Sequence, residues 1–443
     1  MAAAAQPRVM VLPFPAQGHV IPLMELSHKL VEHGFEIDFV NTEFNHGRVL
    51  GALAEKGAIP GGLHMLSVPD GLGPADDHSD IGALVNMSGR LEEMIRSRKT
   101  KWMIADVSMS WALQLATAAG VRVALFCTYS AAAFKLRMNL PKLIEDGVLD
   151  ENGNVMRNER VQLMPPVNAA EIPWVNLGST PERRRTNIQN VLKTNRLMPL
   201  AETIICNTFM EMEPEALALL HNALPLGPLV ALTSRPAGHF LPQDLACLTW
   251  LDTHAPGSVV YVAFGSSGVL DVTQFQELAD GLALSGRPFL WVVRPNFTTG
   301  VEEVWFDAFK RRVDGKGLVV GWAPQQRVLS HPSVACFVSH CGWNSTMEAM
   351  LQGVPFVCWP YFADQFCNQS YVCNVWGTGV KLCADERGVV TKEEIESMVA
   401  RLLGDDEIKA RAATWKHKAC ASITEGGSSY QNLLKLVNLL SEQ

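Results

Sequence analysis

The chain has 443 residues, 48% of them hydrophobic and 19% charged, with a net charge of −8 and a pI of about 5.9. That length exceeds one ordinary domain, and that composition excludes a disordered chain, so two cores are expected. The acidic balance argues against nucleic acid or an anionic membrane as the main partner, and the three arginines at 183–185 read as a solvated loop.

At the N-terminus the apolar run is broken by Gln6, Pro7 and Arg8, which does not suit a secretory signal. No window of about 18 apolar residues occurs, so no membrane span is expected. Ten cysteines are scattered without zinc-site spacing, which suits reduced thiols in a cytoplasmic protein. Strand candidates then alternate with amphipathic stretches, the pattern of parallel sheets. The first series predicts strands at 8–14, 36–41, 102–106, 121–126 and 203–207, with helices at 22–32, 110–119 and 131–146. Residues 150–180 lack periodicity and read as a long surface excursion. The Pro- and Gly-rich stretch 224–242 reads as a linker. A second series follows, with strands at 258–264, 288–293, 317–320, 335–339, 355–358 and 378–382 and a helix at 344–351; residues 391–443 are helical by pattern. The expected architecture is α/β, with two Rossmann-like domains facing across a cleft. The first covers 1–230, the linker 231–245 and the second 246–425, while 426–443 packs back on the first. Ligands in such folds sit beyond the carboxyl ends of the strands.

Polar residues gather at those ends. His19 follows the first strand near a helix start, in Pro15-Ala16-Gln17-Gly18-His19, where Gly18 would permit a sharp turn. Histidine suits a general base at neutral pH, and a base needs an orienting carboxylate, for which Asp106 at the end of its strand is a candidate. Each also has a plainer reading, His19 as a helix-terminal histidine and Asp106 as a helix cap. In the second half, Ser266 lies in a Gly-Ser turn suited to phosphate oxygens. His340, Asn344 and Ser345 stand where a strand ends and a helix opens, a ready pyrophosphate site. Glu348 lies one helical turn beyond Asn344 and could accept ribose hydroxyls. Trp322 offers a face on which a base stacks. Asp364 and Gln365 together supply the acceptors and donors that vicinal sugar hydroxyls need.

The span 322–365 resembles the 44-residue signature box of plant secondary-product UDP-glycosyltransferases, the family 1 enzymes of the GT-B fold. It carries WAPQ, HCGWNS, Glu348 and the closing Asp364-Gln365. Outside the box, PAQGHVIPLMELS, FVNTEFNH, LGPL, CLTWLD and VVYVAFGS extend the resemblance along the chain, and the pattern is similar to the plant family 83 subgroup. One departure is the stretch 90–102, shorter than the loop family members often carry.

The resemblance implies a role for each matching residue. Trp322 would stack on uracil while the Ala323 backbone pairs with its edge. Gln325 and Glu348 would hold the ribose, and Ser266, His340, Asn344 and Ser345 the diphosphate. Trp343, Asp364 and Gln365 would hold the sugar, with Thr128 near its 6-hydroxyl, and the terminal Gln365 is associated with glucose. His19 would be the base and Asp106 its partner. UDP-glucose is then a co-substrate, with no permanently bound cofactor and no metal, and the product an inverted β-glucoside.

The acceptor pocket is expected in the first domain, among Phe14, Met87, Trp111, Phe126, Tyr129, Met138, Leu140, Trp174 and Leu192. These suggest a flat, hydrophobic, hydroxylated acceptor such as a flavonoid or phenylpropanoid. The expectation is a monomeric inverting O-glucosyltransferase. The alternatives are another donor or an N-, S- or C-linkage on the same scaffold, or a catalytically silent UDP-sugar-binding protein.

Overall fold

The computed structural model describes residues 7–54, 59–73, 76, 83–157, 160–161, 166–177, 180–230, 240–295, 297–298 and 300–442. The chain divides into two compact units, one of Met1–Leu241 with Ala421–Gln443 and one of Pro242–Cys420. Residues 231–239 of the expected linker lie outside the described residues.

The first unit contains β1 (Arg8–Leu12), β2 (Glu36–Thr42), β3 (Leu63–Val68), β4 (Trp102–Asp106), β5 (Arg122–Cys127), β6 (Arg160–Val161), β7 (Val167–Asn168), β8 (Thr203–Cys206) and β9 (Ala223–Pro225). Seven of these form a sheet in the order β3-β2-β1-β4-β5-β8-β9, every pair parallel. Parallel sheets bury both faces, and β1 shows how. Val9 and Val11 join a core with Phe39, Trp102 and Phe126, while Met10 and Leu12 join another with Val40, Met103 and Leu125. The first of these cores is completed by the helix Ser428–Ser441, which contributes Leu433, Leu436 and Leu440. Ser429 Oγ donates to the Gly227 carbonyl at 2.5 Å and Asn432 Nδ2 to the Pro225 carbonyl at 3.1 Å.

The second unit contains β10 (Val259–Ala263), β11 (Phe289–Val292), β12 (Gly317–Val320), β13 (Val334–Ser339), β14 (Phe356–Cys358) and β15 (Gly379–Lys381). Their order is β12-β11-β10-β13-β14-β15, again all parallel. Both sheets therefore have the doubly wound order in which strands progress one way and then the other. The reversal falls between β1 and β4 in one unit and between β10 and β13 in the other, the places where such sheets bind ligands.

Three expectations change. The helix after β1 starts at Gln17 and holds Pro22 in its second turn, so Gly18 is helical rather than at a sharp turn. The arginines at 183–185 lie in the helix Pro181–Asn195, whose cap Thr180 accepts from the Arg183 amide at 3.2 Å. The stretch 150–180 is no mere surface excursion. It forms the antiparallel pair β6–β7 and buries Val161, Val167, Ile172 and Trp174 against Leu136, Leu140, Ile188 and Val191. Among the described residues, no helix is long and apolar enough to cross a membrane.

Candidate active site

In the first unit the site forms where the strand order reverses. His19 lies in the first turn of the helix Gln17–Glu32, which follows β1, and Asp106 is the last residue of β4. His19 Nδ1 lies 2.7 Å from Asp106 Oδ2. The other carboxylate oxygen, Oδ1, accepts from the Ser108 amide at 2.7 Å and so caps the short turn Val107–Met109. One oxygen of Asp106 thus meets His19 and the other caps a turn. Asp106 is wholly buried, so its side chain is held in place. An acceptor on Nδ1 holds the imidazole proton there and leaves the Nε2 lone pair as the base. Among the described residues nothing hydrogen-bonds Nε2, and the His19 side chain is 23% exposed.

Thr128 was expected at the sugar. Its hydroxyl lies 3.0 Å from His19 Nδ1, a second constraint on the ring. The turn carrying Thr128 is held by a residue that sequence reasoning missed. The buried carboxylate of Glu213 accepts from the Ala131 and Ala132 amides at 2.9 and 3.0 Å, capping the helix Ala131–Glu145. Burial pushes Glu213 up to about 7, while those backbone hydrogen bonds pull the other way.

The expected acceptor residues separate. The Phe14 ring lies 5.0 Å from the His19 ring, and Tyr129 meets Trp174 edge-on at 6.2 Å. Met87 and Trp111 belong to the core on the sheet face shared with Phe14 and Tyr129. Phe126 alternates to the opposite face and is fully buried there, and Leu140 is sealed in the small third core, so neither has surface with which to line a pocket. Leu192 packs at the edge of that third core, and Met138 stands 37% exposed.

In the second unit β10 leads to Gly265, whose φ of +67° suits glycine. A Cβ on Gly265 would lie 2.6 Å from His340 Nε2, and one on Gly342 would lie 2.4 Å from it. The imidazole is thus seated between two glycines at the ends of β10 and β13. Burial lowers the His340 pKa to about 4, with Arg294's charge adding to the effect and a backbone hydrogen bond at Ala263 opposing it, so the ring is neutral near pH 7. Cys341 takes a left-handed φ of +62°, and Gly342 opens the helix Trp343–Gln352 without a side-chain cap. Amides at such a helix start favour an anion. Ser266 is exposed on the turn after β10.

Asn344, Ser345 and Glu348 stand on that helix. Gln325 Nε2 reaches Ser345 Oγ at 2.8 Å and Glu348 Oε2 at 2.6 Å, and Gln326 Nε2 reaches Glu348 Oε1 at 3.1 Å. Burial raises the Glu348 pKa against the pull of the two amides. These bonds join the helix to Gln325 and Gln326, which follow Trp322 and Ala323 in the chain; Ala323 is buried and Trp322 partly exposed. The Trp343 indole packs 6.3 Å from Trp376 and the residue is 3% exposed, so a sugar would meet its backbone rather than its ring.

Gln365 Oε1 accepts from the amides of Tyr361 and Phe362 at 3.0 and 3.2 Å, which fixes the side chain and leaves its NH2 to donate. Asn368 Nδ2 reaches Asp364 Oδ2 at 2.8 Å and the Cys341 carbonyl at 2.9 Å, tying the Asp364 loop to the His340 turn. Tyr361 adds a second tie. Its ring stacks 6.1 Å from His340 and its hydroxyl donates to the Phe264 carbonyl at 2.9 Å. Sequence reasoning missed Tyr361, Asn368 and Gln326. Gln326 and Asn368 have a weak signal, each one residue or one helical turn from a predicted site residue.

Comparison with known proteins bears on the family and the fold. The family model for UDP-glucoronosyl and UDP-glucosyl transferase matches residues 194–416. UDP-glycosyltransferase 83A1 of Arabidopsis thaliana is 38% identical over 99% of this chain and 97% of its own. A 7-deoxyloganetin glucosyltransferase of Gardenia jasminoides is 34% identical over 97% and 96%. The solved structure of Os79 from O. sativa in complex with UDP superposes with a TM-score of 0.82 at 28% identity, covering 98% of this chain and all of that one.

Proposed function

The chain belongs to the plant family 1 UDP-glycosyltransferases, and on that premise we propose that it transfers glucose from UDP-glucose to a hydroxyl of a small hydrophobic plant metabolite, inverting the anomeric carbon. The observation that carries this reading is the 2.7 Å contact between His19 Nδ1 and a wholly buried Asp106. A catalytically silent binder has no use for a base oriented in this way.

His19 Nε2 takes the proton of the acceptor hydroxyl as its oxygen attacks the anomeric carbon. The bond from that carbon to the diphosphate breaks, and the charge of the imidazolium is met by Asp106. The departing UDP is received by Ser266, His340, Asn344 and Ser345 at the helix start, with its base on Trp322 and its ribose on Gln325 and Glu348. Gln365, its side chain fixed by the Tyr361 and Phe362 amides, supports glucose as the sugar, as does a relative named for glucosylating 7-deoxyloganetin. Phe14, Tyr129 and Trp174 support a flat acceptor. A cytoplasmic, monomeric enzyme is part of the same proposal.

The test is a panel of phenolic and terpenoid acceptors with UDP-glucose, UDP-galactose and UDP-xylose, read by UDP release and product mass. O-glucosides are expected. UDP binding without transfer to any acceptor would sink the catalytic reading, and preferred transfer from another donor would sink the assignment of glucose.

A further inference from the structure

Arg294 lies two residues beyond β11, the strand beside β10, and is 8% exposed. Its Nε donates to the Gly265 carbonyl at 3.3 Å and its Nη2 to the Gly268 carbonyl. The guanidinium also lies 5.8 Å from the Phe297 ring centre. Both carbonyls belong to the turn after β10 that carries Ser266. Two donors of one rigid fork thus grip the two ends of that turn, which the single ammonium of a lysine cannot reproduce.

The grip has a directional consequence. In a trans peptide the C=O and the following N–H point opposite ways. A Gly265 carbonyl drawn toward Arg294 therefore aims the Ser266 amide away from Arg294, at the other side of the turn. The turn has no slack to rearrange: a Cβ on Gly268 would lie 2.1 Å from the Tyr361 hydroxyl.

The charge balance is the second observation. Among the described residues no carboxylate pairs with Arg294; the phenol of Tyr361 beside it is kept protonated and neutral by burial. Burying a cation without a counter-ion is costly, and carbonyl dipoles offset that cost only in part. The fold tolerates the cost where an anion arrives from outside. Arg294 also helps to keep His340 uncharged, so the positive charge of this corner resides on a group that cannot lose its proton.

We propose that Arg294 is a positioning residue of the diphosphate subsite, holding the Gly265–Gly268 turn so that the Ser266 amide faces the diphosphate, whose charge completes the balance left open around the guanidinium. This inference rests on the reading of the second unit as the UDP-sugar site. It differs from a simple structural role in predicting an effect confined to ligands that carry phosphate.

The experiment compares the wild type with R294K and R294M, measuring dissociation constants for UDP and uridine by calorimetry or competition, and kcat and KM with UDP-glucose. In R294M, UDP affinity is expected to fall about tenfold or more, equivalent to about 1.4 kcal/mol, while uridine affinity stays within about twofold. R294K, with the charge but without the fork, is expected between the two, with kcat reduced more than the KM for the acceptor. Unchanged UDP affinity, or equal losses for UDP and uridine, overturns the inference. If R294M does not fold, the same ratio in R294K decides the question. Absence of UDP binding in the wild type overturns the donor-site reading and this inference together, whereas UDP binding indifferent to both substitutions overturns this inference alone.

Discussion

Replacing Asp106 with Asn tests the base most sharply, because shape is kept and only charge and one acceptor are lost. The substituted amide can still accept from the Ser108 backbone N–H through its oxygen, as Asp106 Oδ1 now does at 2.7 Å. Its NH2 then meets His19 Nδ1, where Oδ2 now lies 2.7 Å away. Two donors face each other unless the imidazole moves its proton to Nε2, and a protonated Nε2 cannot accept from the acceptor hydroxyl. The imidazolium formed in the reaction also loses its counter-charge. For unit charges about 4 Å apart at an effective dielectric of about 20, that loss is about 4 kcal/mol. It corresponds to about three orders of magnitude in rate. The assay is UDP release with UDP-glucose and a phenolic acceptor, alongside calorimetry with UDP. The expected result is kcat lowered about a thousandfold with UDP affinity unchanged. A folded, UDP-binding D106N enzyme that keeps more than about a tenth of wild-type activity would refute the reasoning, since that margin is under about 1.4 kcal/mol.

Three further outcomes are expected. Thr128→Val removes the hydroxyl 3.0 Å from His19 Nδ1 and should lower kcat several-fold, in keeping with about 1 kcal/mol for one hydrogen bond, with UDP affinity unaffected. Gly342→Ala, at a φ of −61° that alanine accepts, places a methyl against the His340 ring and should weaken UDP binding about tenfold or more, through loss of a hydrogen bond to a charged group, without unfolding the chain. Glu213 is raised in the folded state to about 7, so between its ordinary carboxylate range and that value the folded chain holds a proton that the unfolded chain has released. Stability should therefore fall as pH rises through that window and level off above it, by up to about 3 kcal/mol. In Glu213→Gln the thermal midpoint should lose this part of its slope; an identical slope in both proteins would count against the assignment.

Much of the donor half is legible in the sequence because its residues are close together in the chain. Strand end, glycine turn and helix start follow one another from Ser339 to Glu348, so local pattern alone places Asn344 and Ser345 on one helix. The pairing of His19 with Asp106 is legible from a rule about strand ends, although 87 residues separate the two. Glu213, Tyr361 and Arg294 are not legible, because each acts on a turn brought to it only by the sheet. Phe126, a pocket candidate by sequence, fills the core instead for a related reason. In a strand buried on both sides, apolar residues fill odd and even positions alike, and the alternation that would distinguish the faces disappears. Pro22 suits a first turn, which is why the pattern predicts a start there, whereas the chain enters the helix at Gln17 and tolerates a proline that contributes no N–H to the ladder.

The helix Ser428–Ser441 has a consequence for synthesis. Leu433, Leu436 and Leu440 close a core begun by Val9 and Val11, so the first unit to leave the ribosome is the last to be finished. The whole of Pro242–Cys420 must be translated in between. At roughly 5–20 residues per second, that stretch takes on the order of ten to forty seconds. During this time the nascent first unit carries an uncovered apolar strip, a standing invitation to chaperones, while the second unit, continuous in the chain, is free to fold as soon as it emerges.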